Sequence, residues 1–148
     1  MMVNLEVKQS IITQWIALKA LCRHGRSSYL PDFGQIIETT PERYFNLPFV
    51  LAYSVLDQVL LELVEQGVIK FKAAKRIPGL GQMMFASNGP LKWLNYEVVA
   101  EGKTARNDLA HRATLIPTKA ECFRFILAIE RELLGWDVIP ASVASELA

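Results

Sequence analysis

A chain of 148 residues, 51% apolar and 21% charged, has enough material for one buried core and does not have the composition of a disordered polypeptide. Its net charge of +1 excludes a global field for nucleic acid, so any such partner must be met by a local patch. Two distant cysteines, without a C-x-x-C or a His/Cys/Asp cluster of zinc spacing, argue for buried free thiols and against a structural metal, and no cofactor is expected.

Met1 to Asn4 carries no basic flank followed by an apolar run, so no signal peptide is read there. The first helix is predicted over about Leu5 to His24. Ile11, Trp15, Leu18 and Cys22 recur on one stripe, Glu6, Gln9, Ser10 and Thr13 fall opposite, and Gly25 follows as a stop signal. Residues 26–48 form a connector with four prolines and glycines, and one short helix is expected after Pro41.

A second helix is predicted from about Pro48 to Gln66, with proline near its first turn and Gly67 past its end. It is apolar on nearly every side, which places it at the centre of the fold or against a partner subunit. Asp57, Gln58 and Glu62 interrupt the run from Leu47 to Val64, and charges at mid-bilayer cost roughly 2.5–3.5 kcal/mol each, so it reads as a buried helix with no membrane role. A cytoplasmic location is expected.

Val68 to Phe71 reads as a short strand or an extension, and Ile77 to Pro90 as loop. A third helix is expected to open near Pro90 and run to Glu101, carrying Leu91, Leu94, Val98 and Val99 inward, until Gly102 breaks it. Thr118 and Glu121 have capping-box spacing, so a last helix should run from about Lys119 to Trp136 and bury Cys122, Phe123, Ile126, Leu127, Ile129, Leu133 and Leu134. Trp15, Trp93 and Trp136 belong to core or interface, and the tail from Asp137 should be loose. The expected architecture is a single all-α domain over residues 1–148, a four- to five-helix bundle with its core at about 5–136.

The basic patches are Arg23-His24-Arg26, Lys70-Lys72-Lys75-Arg76 and Lys103-Arg106-Arg112, the first two read as solvated surface. His24, at a predicted helix end, complements the helix dipole. Chemistry concentrates instead in Arg106-Asn107-Asp108-Leu109-Ala110-His111. Histidine titrates near pH 6.5 and suits proton transfer, while the arginine fork matches phosphate oxygens. Asn107 and His111 are four apart and share a helix face, where the amide can orient the imidazole; Asp108 is assigned no catalytic role. In an uninterrupted helix Arg106 and His111 stand about 140° apart, so they converge only at a helix end or in a shared cleft. Spacing alone leaves a surface arginine and a satisfied structural histidine as the simpler account.

The string resembles the R-N-x-x-x-H form of the HEPN family motif, and its place between the third and last long helices of an α bundle resembles the family's arrangement. That resemblance implies a metal-independent endoribonuclease, found in toxins, defence effectors and RNA-processing factors, with RNA as substrate. It also implies a homodimer that faces two motifs across one cleft and, for a toxin, a cognate antitoxin or regulatory protein. By position, Arg106 and His111 are the catalytic candidates and Asn107 the polar residue after the arginine. The alternatives are a non-catalytic HEPN-like module binding nucleotide, RNA or protein, and a helical interaction protein whose motif is structural.

Overall fold

The stripe of the first helix decides how the bundle begins. A computed structural model describes residues 3–24, 28–30, 35–37, 42–70, 78–111 and 117–144. Helix α1 spans Leu5–His24, opened by the Asn4 side chain, whose Oδ1 accepts the Glu6 amide at 2.8 Å. Ile11, Trp15, Leu18 and Cys22 are all buried along one side, as their spacing predicts. In the connector two short strands, β1 (Ser28–Leu30) and β2 (Gln35–Ile37), pair antiparallel with Tyr29 opposite Ile36. No period-two pattern long enough to announce them is present in that stretch. A 3-10 turn at Glu42–Phe45 supplies the short helix expected after Pro41 and leads directly into α2, Asn46–Glu65.

Helix α2 is the centre of the bundle. Pro48 sits in its first turn, where no backbone donor is required, and α2 packs against α1 and three further helices, α3 (Leu80–Ser87), α4 (Tyr96–His111) and α5 (Lys119–Gly135). Phe49, Ala52, Tyr53, Val55, Leu56, Val59 and Leu60 are wholly enclosed, which accounts for a composition apolar enough to cross a membrane by length and hydropathy. Its end is a Schellman turn. Gly67 takes φ 78°, its N–H donates to the Val64 carbonyl at 3.0 Å, and the Val68 N–H donates to Leu63 at 2.9 Å. Residues 68–70 form no strand; Phe71 lies outside the described residues.

Two expectations for the middle of the chain are overturned. Residues 80–87, read as loop among Pro78, Gly79, Gly81, Gly89 and Pro90, form α3. The Gln82 side chain accepts the Gly79 N–H at 3.0 Å, and Leu80, Met83, Met84 and Ser87 at helical spacing turn into the core. The following helix opens at Tyr96, not near Pro90, and continues through Gly102 to His111. The start is set from outside: the Glu132 carboxylate, fully buried, accepts the N–H groups of Leu94 and Asn95. Leu94 is consequently turned outward and largely exposed, whereas Leu91 and Val99 are buried as expected.

Helix α5, Lys119–Gly135, begins with the predicted reciprocal cap: the Thr118 N–H donates to Glu121 Oε1 at 3.0 Å and the Glu121 N–H to Thr118 Oγ1 at 3.2 Å. Cys122, Ile126, Ile129 and Leu133 are buried as predicted, but Phe125 and Ala128 join them while Phe123, Leu127 and Leu134 are half-buried. Ring packing gathers Trp93, Tyr96 and Trp136, with the Trp93 and Trp136 centroids 4.8 Å apart. The tail is not loose where it is described. Asp137 turns the chain at φ 58°, Val138 and Ile139 are buried, and a 3-10 turn at Ala141–Val143 lies against α1. Burial of two large aliphatic side chains is enough to hold so short a segment. Among the described residues the protein is an all-α bundle of five helices with one small β hairpin.

Candidate functional site

Helix α4 carries the whole Arg106–His111 segment in its last two turns, so Arg106 and His111 belong to one uninterrupted helix. That geometry sets them about 140° apart around the axis and roughly 7.5 Å apart along it. Leu109 packs against the core, Ala110 is exposed, and Asp108 faces solvent.

Arg106 leans towards α2. Its guanidinium carbon lies 6.0 Å from the centroid of the Tyr53 ring, and its Nη2 donates to Asn107 Oδ1 at 3.1 Å. The seam that brings these helices together depends on Gly102. The Tyr53 hydroxyl donates to the Val99 carbonyl at 2.8 Å, and a Cβ added at Gly102 would fall 2.0 Å from that hydroxyl oxygen and 2.7 Å from the Phe125 ring. Glycine therefore continues this helix because the neighbour needs the space, which is why it does not act as the predicted break. Burial pushes the Tyr53 hydroxyl well above its usual range, against the opposing influence of Arg106. Asp57, one turn further along α2, is half-buried; burial raises its pKa above 3.8 and the nearby Arg106 charge works the other way.

His111 is the last residue of α4 and is exposed, a position where its protonated form complements the helix dipole. Asn107 is exposed too, but among the described residues its side chain meets Arg106 and not His111, which corrects the expected amide–imidazole pair. The i to i+4 relation permitted that contact; the adjacent guanidinium takes the amide oxygen instead. Lys103 is half-buried with its ammonium beside Gly81 of α3, and Arg112 lies outside the described residues.

The other candidates separate cleanly. Cys22 and Cys122 are buried thiols, and desolvation lifts Cys22 to about 11, far from a reactive thiolate. Arg26, Lys72, Lys75 and Arg76 lie outside the described residues, as does the side chain of His24. Among the described residues, no group of three or more His, Cys, Asp or Glu is placed to hold a metal ion. Sequence reasoning passed over Tyr53 and Asp57. The available signal was an acid in a largely apolar helix, four residues after a tyrosine and so on its face. No family model, curated protein or solved structure is detectably similar to the chain.

Proposed function

We propose that the protein is an HEPN-like endoribonuclease that cleaves RNA as a homodimer, with His111 moving the proton and Arg106 holding the phosphate. One observation carries this reading: a half-buried guanidinium, with one side-chain hydrogen bond among the described residues, and an exposed imidazole occupy the last two turns of one helix. In the reaction, neutral His111 accepts the proton of a 2′-hydroxyl as its oxygen attacks the adjacent phosphorus, and the bond to the departing 5′-oxygen breaks. That oxygen takes a proton from an imidazolium, leaving a cyclic phosphate. Arg106 stabilises charge on the non-bridging oxygens. Because the two groups diverge within a single copy, the cleft must be shared between copies, each supplying its motif. In the cell such an enzyme is expected in the cytoplasm, as a toxin or defence effector restrained by a cognate antitoxin or regulatory protein.

The same divergence favours a second reading, a non-catalytic HEPN-like module in which Arg106 binds a phosphate of nucleotide or RNA without help from His111. A purely structural motif is disfavoured by the exposure of His111. An RNA-cleavage assay separates these. Wild type should cleave in the presence of chelator, and His111→Ala and Arg106→Ala should each lose about a hundredfold or more in rate. No cleavage by wild type, or equal cleavage by all three, ends the enzyme reading.

A further inference from the structure

The basic patch on α4 contains one cation that the proposed chemistry does not use. Lys103 and Arg106 stand three residues apart, so they are neighbours about 60° apart around the axis and about 4.5 Å apart along it. Lys103 reaches towards α3. A Cβ added at Gly81, the second residue of that helix, would fall 3.0 Å from Lys103 Nζ and 3.7 and 3.8 Å from its Cδ and Cε. The glycine leaves the lysine stem room to lie along the first turn of α3. Arg106 leans the other way, onto the Tyr53 ring of α2.

Helix stability does not account for this pair. No acid occurs three or four residues to either side of Lys103 or of Arg106, and two like charges at that spacing oppose the helix. The acids of α4 lie on another sector: Glu97, Glu101 and Asp108 fall about 120–160° from Lys103, and Glu101 accepts from Arg124 at 3.2 and 3.1 Å. Among the described residues no carboxylate comes within 4.0 Å of either cation. The N-terminal end of α3 adds partial positive charge beside Lys103 and does not offset it. Charge of one sign, gathered on one sector and kept apart from the acids, is completed by an extended anion.

We infer that Lys103 binds the phosphate next to the one held by Arg106, so that the ligand is an RNA strand crossing α4 towards α3 and spanning at least two consecutive phosphates. This rests on the reading of Arg106 as the phosphate clamp. The planar arginine fork fixes one phosphate, and the lysine, a point charge on a flexible stem, adds affinity for the strand.

The test measures binding of the full chain to a fluorescein-labelled, 2′-O-methylated single strand of about ten nucleotides, which cannot be cleaved, across a range of salt concentrations. Lys103→Gln should weaken binding several-fold and reduce the slope of log affinity against log salt by about 0.7, the share of one phosphate contact. Gly81→Ala keeps the charge but pushes the ammonium aside; it should weaken binding less, and add nothing in the Lys103→Gln background. An unchanged salt slope in Lys103→Gln, or an equal loss from Gly81→Ala in both backgrounds, overturns the inference. Absence of binding by wild type ends both this inference and the reading beneath it. If wild type binds the strand yet leaves unmodified RNA uncut, the enzyme reading falls and the salt slope still decides the role of Lys103.

Discussion

Two charged sites in the bundle, one around Lys19 and one around Arg106, are built to opposite ends. Between α1 and α5, Glu130 Oε2 accepts Lys19 Nζ at 2.8 Å and Trp15 Nε1 at 2.7 Å; Lys19 is 1% exposed and Glu130 5%. Between α2 and α4, Arg106 keeps a 6.0 Å distance from the Tyr53 ring, makes one side-chain hydrogen bond among the described residues, and is only half-buried. In the first set the charges are matched and closed to water, so their work is finished when the chain folds. In the second the cation rests against a ring and stays half-buried, without a partner carboxylate among the described residues. The contrast separates polar residues that specify the fold from polar residues that remain available.

Breaking the closed set should have the largest effect. Glu130→Ala strands the Lys19 ammonium in the core and should cost about 3–5 kcal/mol, read as a fall in unfolding midpoint in denaturant. Gly102→Ala attacks the open set through its frame. The new methyl meets the Tyr53 hydroxyl and the Phe125 ring, and about 1–3 kcal/mol should be lost despite the better helix propensity of alanine. If thermal unfolding shows Gly102→Ala unchanged, the seam is looser than its geometry states.

Removing the available residues should barely touch the fold. Arg106→Ala and His111→Ala should each stay within about 0.5 kcal/mol of wild type in chemical unfolding, even where RNA cleavage collapses. A large stability loss in either would move that residue into the structural class. Asp57 gives the smallest and most diagnostic effect. Its pKa is raised on folding, so its contribution favours the folded state below the ordinary aspartate range near 3.8 and is lost as pH rises through the folded value. Asp57→Asn should therefore flatten that part of the stability–pH curve and be no less stable than wild type at neutral pH. A variant clearly less stable at neutral pH would show Asp57 serving the fold.

A second pair of regions shows what local chemistry alone can specify. The ends of α2 and α5 close with the same turn, a left-handed residue followed by a Val-Ile pair whose isoleucine is buried: Gly67-Val68-Ile69 and Asp137-Val138-Ile139. The glycine announces the first turn in the sequence. Aspartate tolerates the same conformation at some cost, so the second stop was not legible and the buried segment after it read as a loose tail.

What the amino-acid order determined by itself is the part of the structure written at short range: the buried stripe of α1, the all-round apolar α2, the Thr118–Glu121 cap of α5 and the all-α class. Each depends on contacts within a few residues along the chain, so periodicity and capping suffice to read it. Tertiary structure alone decided the rest. Gly102 continues a helix because Tyr53, distant in sequence, occupies the space a side chain would need. α4 starts at Tyr96 because Glu132 binds the amides just before it. The site shares that character: the Arg106–His111 string was visible, but the Tyr53 ring against Arg106 is recognisable only once the two helices lie side by side, since a residue of one helix has no neighbour on another until packing supplies it.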